Sequence, residues 1–328
     1  MAKEVNVRAV LAIDPGGSKT EALLVGLDGA VLGWGRSRPA AADGEPHPAG
    51  YGRTGEAVRQ AVMQAVDGQA GAELHVGMIN RALHRPGLEG LRIVTTEFLG
   101  EHVPAFTLSG ETHGVMALAG TGAMVYARDP AGRCLQLDGL GPLLGDYGSG
   151  FSIGLKAIQA AARQEWHPRR ATTLADAIYA VSRQSRLFSG RAELVTFMLK
   201  ARDRAQIAAF AALVDQEARK GDPVAIGILE QAARDIAETV RDATARLELQ
   251  AGAHALIGVG SVMMRSDLYW QAFTAAVAGF APALRPVRIR HPAVAGGALH
   301  VLARLAEVDA TAARRRLFED LDRRAKEQ

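Results

Sequence analysis

The chain contains a single cysteine, Cys134, among its 328 residues. One thiol excludes an internal disulfide and any zinc or iron–sulfur site that needs several cysteines from the same chain. Aromatic residues make up only 5% of the sequence, whereas hydrophobic residues as a whole make up 48%. We therefore expect a globular core that is built from Ala, Leu and Val rather than one held by covalent or metal crosslinks.

Long blocks of like charge and long apolar runs are also absent. The formal net charge is +3, and the densest basic run, Arg314-Arg315-Arg316, is soon followed by Glu319 and Asp320, which is typical of a solvated helix face. No run reaches the roughly 18 apolar residues of a membrane span, and the N-terminus lacks the apolar core of a signal peptide. We expect a cytoplasmic protein with no nucleic-acid and no membrane partner.

The sequence does contain a strand–turn–strand pattern that occurs twice. Near the N-terminus, strand-like runs at 8–13, 21–27 and 30–35 are separated by a glycine turn and by an Asp-Gly turn, and Asp-Gly is a strong hairpin signal. A second set begins at 114–118, passes a Gly-Thr-Gly turn and continues at 124–127. The similar spacing predicts two related half-domains that face one another.

The rest of the chain alternates between helical and strand-like patterns. Residues 149–249 are mainly helical, rich in Ala and Arg at helical spacing. Further helices are expected at 56–66, 269–278, 294–305 and 310–326, and further strands at 74–79, 91–96, 254–259 and 287–289.

The first glycine turn, DPGGSKT at residues 14–20, is a candidate phosphate-binding loop. A Walker loop and a dinucleotide fingerprint both require a helix after their glycines, and the strand pattern after this turn argues against both. The remaining design is a β-hairpin whose backbone N–H groups surround the phosphates. Gly16 and Gly17 allow a close approach because they lack a Cβ atom, although an ordinary tight turn has the same composition.

The side chains of this turn suit a magnesium–phosphate ligand. Ser18 and Thr20 offer hydroxyls, Lys19 offers a positive charge, and Asp14 offers a carboxylate at the end of the first strand. A carboxylate that holds Mg²⁺ through water is the kind of contact this hard cation prefers.

Four motifs, IDPGGSKTEALLV, LAGTGA, GPLLGDYGSGFSIG and IGVGSV, occur in this order between about residues 9 and 305. Together they resemble the N-acetylglucosamine kinases and BadF-type ATPases, which share a superfamily with sugar kinases, actin and the heat-shock chaperone ATPases. The resemblance implies an α/β fold of two RNase-H-like (actin-like ATPase) domains. Each would contain a mixed five-stranded sheet flanked by helices, with an ATP cleft between the domains.

The resemblance also implies the domain boundaries. Residues 1–117 would form the N-terminal domain, completed by the C-terminal helix at about 303–328. Residues 118–302 would form the C-terminal domain, with a helical insertion at about 150–250. Because such relatives commonly dimerise, a homodimer is expected.

By the same resemblance, ATP and Mg²⁺ are the cofactors. Asp14 would serve the metal, the turn that follows would bind the outer phosphates, a second glycine turn would oppose it, and a third motif would lie against the adenosine. The implied residues are Asp14, Gly16, Gly17, Ser18, Lys19, Thr20, Gly120, Thr121, Gly122, Gly258, Gly260 and Ser261. For the glycines of the third motif, a packing or turn role remains an alternative.

Two acids are implied at the catalytic centre. In the family, the catalytic base is an aspartate at the end of a strand, in a Thr-Thr/Asn-Asp context. In IVTTEFLGEH the matching residue is Glu97. Its extra methylene moves the carboxylate by roughly 1 Å, a displacement that can cost about 100-fold in rate; a surface glutamate at a strand end is the alternative. Asp146 would lie at the sugar and near the transferred phosphate, although it could also cap the helix that follows.

The sugar-binding half of the signature departs from the family. Leu140 replaces an aromatic residue beside Gly141, and Tyr147 replaces the acid that usually follows Asp146. Leu140, Gly141, Asp146 and Glu97 are therefore the candidate substrate contacts. The loop at 37–50 lacks the asparagine expected to hold sugar hydroxyls. The segment between Glu97 and the second glycine turn is a few residues longer than the family pattern.

The leading hypothesis is an ATP-dependent kinase that phosphorylates a hydroxyl of an amino sugar such as N-acetylglucosamine. The alternative is an ATP-binding sensor or degenerate kinase of the same fold, because the departures fall at Glu97, at Leu140 and in the loop at 37–50. An ATPase that activates a reductase would need cysteines for a shared cluster, and Cys134 alone argues against it.

Overall fold

The structure, a computed structural model, describes residues 7–16, 19–37, 51–69, 71–79, 88, 90–164, 172–200 and 204–327. The chain divides into two compact units. Unit 1 comprises Met1–Glu111 and His291–Gln328, and unit 2 comprises Thr112–Arg290. Unit 2 is thus inserted into the sequence of unit 1.

Strands and helices follow one another along the chain in this order. The first half contains β1 (Arg8–Pro15), β2 (Thr20–Gly26), β3 (Val31–Ser37), α1 (Tyr51–Ala65), β4 (Glu73–Ile79), β5 (Arg92–Leu99), α2 (His102–Ser109), β6 (Gly114–Ala119), β7 (Ala123–Arg128) and β8 (Cys134–Asp138). The second half contains α3 (Gly150–Arg163), α4 (Thr173–Gln184), α5 (Arg191–Lys200), α6 (Arg204–Arg219), α7 (Pro223–Arg246), β9 (Ala255–Val259), α8 (Ser261–Arg265), α9 (Asp267–Ala278), β10 (Arg285–Arg288), α10 (Ala293–Leu302) and α11 (Ala310–Glu327).

Unit 1 is built on a mixed five-stranded sheet of order β3-β2-β1-β4-β5. β1 pairs antiparallel with β2 and parallel with β4, so the chain turns back tightly after β1 and crosses over before β4. The glycine turn therefore joins two strands, as the sequence predicts, and no helix follows it. β1 is buried on both faces, because α1 covers one face and α10 the other.

The helices on the two faces of the unit 1 sheet pack closely against glycines of its strands. A Cβ atom on Gly33 or Gly35 would come within 1.9 or 1.7 Å of a carbonyl oxygen of α1, so α1 contacts the backbone of β3 directly. On the other face, the Cβ of Gly77 would come within 2.8 Å of Val301 in α10. This close packing fixes the position of β1, whose carboxyl end carries the candidate phosphate turn.

Unit 2 repeats the arrangement with a sheet of order β10-β9-β6-β7-β8. β6 and β7 form an antiparallel hairpin around the second glycine turn, β8 extends it, and β9 returns parallel to β6. The two units therefore share one strand topology, which confirms the predicted relationship between the half-domains and the α/β fold class. Helices α3 to α7 contribute most of the core on one side of this sheet.

The structural units differ from the predicted domains at two points. The predicted boundary at 117/118 would divide β6, which lies wholly in unit 2. α10, expected in the second domain, packs instead on β1 and β4 of unit 1, where Gly297 approaches Ala12. α2 is an additional helix that the sequence patterns do not predict. None of the helices in the described ranges is long and apolar enough to traverse a bilayer.

The packing of α3 on α6 in unit 2 gives a stability prediction. A Cβ on Gly154 of α3 would come within 1.9 Å of the carbonyl oxygen of Ile207, whereas a Cβ on Gly227 of α7 would meet nothing within 4 Å. We expect Gly154→Ala to lower the free energy of unfolding by about 2–3 kcal/mol through overpacking. Gly227→Ala is the matched control and should raise it by up to about 1 kcal/mol. Urea unfolding of both variants tests this, and equal effects would contradict it.

Candidate functional site

The turn between β1 and β2 ends with residues that face each other across the hairpin. Pro15 pairs with Thr20, and Asp14 pairs with Glu21. The N–H of Gly16 donates to the carbonyl oxygen of Asp14 at 3.1 Å. Two residues predicted to bind the phosphates, Gly17 and Ser18, lie outside the described residues, as does nearly all of the loop at 37–50 that lacks the expected asparagine.

Glu21 holds the basic side chains beside this turn. Its carboxylate is buried, and it accepts from Lys19 Nζ at 2.6 Å and from Arg36 Nη2 at 2.7 Å. The contact keeps the Lys19 ammonium at the turn, where its side chain stays 40% exposed. A positive charge held in this way is available to an anionic ligand. No sequence motif assigns this orienting role to Glu21.

Asp14 lies in an environment that disfavours its charge. Burial raises the pKa of its carboxyl to about 7, and the nearby carboxylates of Glu21 and Glu101 contribute to the rise against the opposing effect of Lys19. Clustered acids that share a site in this way commonly mark a place where a cation or a proton is bound.

Glu101 is a functional candidate that the sequence motifs do not identify. β5 ends at Leu99, which pairs with Ile79 at the end of β4, and Met78 pairs with Ile13 of β1. The carboxyl ends of these strands therefore lie at one edge of the sheet, and Glu101 follows directly. It occupies the N-cap position of α2, yet its side chain accepts no capping hydrogen bond from that helix.

Glu97, the predicted base, lies elsewhere in unit 1. It pairs with Gly77, two residues before the end of β5. Its carboxylate is 3.3 Å from Nε2 of His300 and 3.5 Å from Nε of Arg304, so it points towards α10 and the segment after it. One sequence signal does favour Glu101. The segment between Glu97 and the second glycine turn is a few residues longer than expected, and it becomes four residues shorter if Glu101 takes the place of Glu97.

The described residues of this edge fit a magnesium–phosphate group. Oγ1 of Thr20 is buried and has no hydrogen-bond partner among the described residues, which leaves a hydroxyl ready for a ligand. In the described part of the chain, no group of three or more acidic, histidine or cysteine side chains converges on one point as a complete metal cage. Mg²⁺ commonly uses one or two carboxylates together with water and phosphate, so Asp14 suits it.

In unit 2, three glycine-containing motifs come together around the end of β6. The carbonyl oxygens of Gly120 and Thr121 accept from the N–H groups of Gly150 and Phe151 at 2.7 and 3.1 Å, which attaches the second glycine turn to the start of α3. Gly260, with φ of 96°, is so close that a Cβ would lie 2.4 Å from the carbonyl oxygen of Ala119.

Asp146 lies beside the same turn. It is 5% exposed, and its Oδ1 accepts from the N–H of Ala123 at 3.3 Å. A Cβ on Gly122 would lie 3.0 Å from its Oδ2. Ser149, not Asp146, caps α3, because its Oγ accepts from the N–H of Ser152 at 3.1 Å. The capping alternative for Asp146 therefore fails.

A second acid, Asp138, stabilises the loop between β8 and α3 (residues 139–149, the Asp138 loop). Its two carboxylate oxygens accept from the N–H groups of Asp146 and Tyr147, at 2.6 and 2.9 Å. Both Asp138 and Asp146 have positive φ, at 65° and 58°, and these contacts stabilise that backbone. The family motifs do not include Asp138, although an Asp-Gly pair at the end of a strand is a turn signal.

The remaining predicted residues of unit 2 have mixed surroundings. Leu140 is 66% exposed at the surface of the Asp138 loop, and Gly141, with φ of 84°, follows it. Gly258 packs against the indole of Trp270, since a Cβ there would lie 2.2 Å from the ring. Ser261 begins α8 directly after Gly260. Packing thus accounts for Gly258, while Gly260 and Ser261 lie at the carboxyl edge of the sheet.

Known proteins resemble this chain over most of its length. A curated N-acetylmuramic acid/N-acetylglucosamine kinase from Clostridium acetobutylicum is 25% identical over 284 residues, which cover 81% of this chain and 89% of that protein.

Two solved structures share the fold. A candidate N-acetylglucosamine kinase from Chromobacterium violaceum matches with a TM-score of 0.61 and 22% identity, covering 90% of this chain and 99% of that one. A ROK family glucokinase from Streptomyces griseus, solved with glucose and AMPPNP, matches with a TM-score of 0.58 and 16% identity, covering 88% and 98%. At these identities the likeness shows the actin-like sugar-kinase fold.

The family assignment comes from the sequence itself. Residues 11–297 match the profile of the BadF/BadG/BcrA/BcrD ATPase family. This range begins within β1, ends within α10 and includes all four glycine-containing motifs. The chain therefore belongs to the BadF/BadG/BcrA/BcrD ATPase family.

Proposed function

We propose that this protein is an ATP-dependent kinase that transfers the γ-phosphoryl group to a hydroxyl of an N-acetylated amino sugar. Family membership supports the use of ATP, and the curated relative, a kinase of two such sugars, supports the acceptor class. The observation that carries the proposal is the group of Asp14, Glu101 and Lys19 beside a β-hairpin turn at one edge of the unit 1 sheet.

The residues of the first turn bind the phosphates in this proposal. Lys19, oriented by Glu21, supplies a positive charge, and the hydroxyl of Thr20 supplies a donor that has no partner among the described residues. Asp14, as a carboxylate, would hold Mg²⁺. When bound, Mg²⁺ and ATP supply the transferable phosphoryl group and neutralise its charge.

Glu101 acts as the general base in preference to Glu97. As the sugar hydroxyl attacks phosphorus, its proton passes to a carboxylate oxygen of Glu101, and the phosphoryl–oxygen bond forms as the bond to ADP breaks. Two facts support this assignment: Glu101 is near Asp14, and Glu97 is already paired with His300 and Arg304.

The sensor hypothesis loses its main support if Glu101 is the base, because it depends largely on Glu97 as a displaced catalytic carboxylate. The remaining departures, at Leu140 and Tyr147, concern the choice of acceptor rather than the transfer itself.

A coupled assay of ADP release tests the proposal. The protein is incubated with Mg-ATP and, separately, with glucose, glucosamine, N-acetylglucosamine or N-acetylmuramic acid. We expect sugar-dependent ADP release with at least one N-acetylated sugar and little release without sugar. Lys19→Ala should raise the KM for ATP by about 10-fold or more, since charged contacts to phosphate contribute about 1.5–3 kcal/mol. Tight ATP binding without sugar-dependent turnover would instead support the sensor.

A further inference from the structure

Arg204, the first residue of α6, lies on the Asp138 loop. Its guanidinium nitrogens lie 3.1 and 3.5 Å from the point that a Cβ on Gly141 would occupy, so the group rests on the backbone of that glycine. Nη1 is 3.9 Å from Oδ2 of Asp146. A cation beside Gly141 and Asp146, two of the predicted acceptor contacts, is therefore supplied by α6, a helix that no sequence motif identifies.

The charge of Arg204 is only partly balanced. At 3.9 Å the contact with Asp146 is too long for a hydrogen bond, and both carboxylate oxygens of Asp138 already accept from backbone N–H groups. The Arg204 side chain is 58% exposed. A guanidinium presents five N–H donors in a planar fork that matches a carboxylate, and this fork remains open to a ligand.

The loop beside Arg204 carries little negative charge, because Asp146 is the only charged residue among residues 139–149. Tyr147, which follows Asp146, is 57% exposed and adds no charge. Leu140, Leu143 and Leu144 on the same loop are 66, 95 and 74% exposed. A single, buried acid, an exposed cation and exposed apolar side chains favour an acceptor with a carboxylate on a short apolar substituent over a neutral acceptor.

We infer that Arg204 binds the carboxylate of an acidic amino sugar, and that this contact sets the acceptor preference of the enzyme. The inference rests on the proposed function and names the substrate class for it: an N-acetylated amino sugar with a carboxylate-bearing substituent. The guanidinium pairs with that carboxylate, while the exposed leucines contact the apolar part of the substituent. In this proposal a neutral amino sugar binds without any contact to Arg204.

The test compares two acceptors that differ in this substituent. kcat/KM is measured with Mg-ATP for N-acetylmuramic acid and for N-acetylglucosamine, using the wild-type protein, Arg204→Ala and Arg204→Lys. Arg234→Ala is the matched control, because Arg234 is 51% exposed and pairs with Glu230 at 3.6 Å on α7. We expect Arg204→Ala to lower kcat/KM about 10- to 100-fold for the acidic sugar, mostly through KM, and less than about 3-fold for the neutral sugar.

The outcomes separate the inference from the proposed function. Arg204→Lys should retain part of the preference, and Arg234→Ala should leave both acceptors unchanged. An equal loss for both acceptors in Arg204→Ala would overturn the inference, because it would indicate a role in transfer or in loop structure. Turnover of the neutral sugar alone by the wild-type protein would overturn it while the kinase proposal stands. No turnover of any sugar would refute both.

Discussion

Glu101→Gln is expected to lower kcat for sugar phosphorylation by about 10²–10⁴-fold, the usual contribution of a positioned general base. Glutamine keeps the size of the side chain and can donate or accept a hydrogen bond, but it cannot take up the proton of the sugar hydroxyl. ADP release under saturating Mg-ATP and sugar measures the change. Calorimetric titration with a non-hydrolysable ATP analogue should show binding within about threefold of wild type.

Glu97→Gln is the matched control for Glu101→Gln, since it makes the same chemical change four residues earlier in the chain. Glu97 pairs with His300 and Arg304 through a half-buried contact, and such pairs contribute about 1 kcal/mol or less to the free energy of unfolding. Because Glu97 takes no proton from the sugar in this assignment, we expect kcat to change by less than about fivefold. The reverse result, a large loss with Glu97→Gln and a small one with Glu101→Gln, would restore Glu97 as the base.

Asp14→Asn is expected to stabilise the nucleotide-free protein at pH 8 while removing its magnesium-dependent activity. The pKa of Asp14 is raised from 3.8 to about 7 in the folded state by burial and by Glu21 and Glu101. A raised carboxyl pKa means that the folded state binds the proton more tightly, so the contribution of Asp14 to stability falls as pH rises from about 4 to 7. At about 1.36 kcal/mol per pKa unit, the cost above pH 7 is up to about 4 kcal/mol.

Urea unfolding of wild type and Asp14→Asn at pH 5 and pH 8 checks the sign. The stabilisation should shrink to less than half at pH 5, where the folded state already holds the proton. Asp67→Asn is the control, because Asp67 is exposed in the turn after α1 and its substitution should change stability by less than about 0.5 kcal/mol at either pH. A difference between Asp14→Asn and wild type that did not vary with pH would contradict the prediction.

The hairpin around the first glycine turn could be predicted because its signals are local. Apolar runs on both sides of the turn and the Asp28-Gly29 pair specify short antiparallel strands, and these form as expected. The repeated strand–turn–strand pattern likewise predicts the two related sheets. Local patterns and turn residues determine these features, so one sequence is enough.

The sequence does not identify Glu101 as the base, because the residues around Glu97 resemble the family motif while β5 ends closer to Glu101. Glu97 follows two threonines, as the family's base follows its own context, but β5 continues for two further residues before its end at Leu99. A register shift between β4 and β5 at Leu74 and His75 also alters which residues lie opposite each other. The end of a strand in a sheet depends on its neighbours, which the sequence alone does not reveal.

Long-range packing explains the other differences. α10 is apolar on nearly all sides, and nothing in its residues specifies which sheet it covers; in the structure Gly297 lies against Ala12 of β1. Arg204 lies in a helix without a motif, and only the fold brings it to Gly141. Asp138 likewise becomes important through backbone contacts eight and nine residues away.

The insertion of unit 2 within unit 1 has a consequence for the order of folding during synthesis. As the chain leaves the ribosome, β1 to β5 emerge first but lack α10, so one face of their sheet stays uncovered while Thr112–Arg290 is translated. Unit 2 thus has all of its strands and helices before unit 1 does. The apolar face of the nascent first sheet therefore stays without its covering helix α10 until the last part of unit 1 is made.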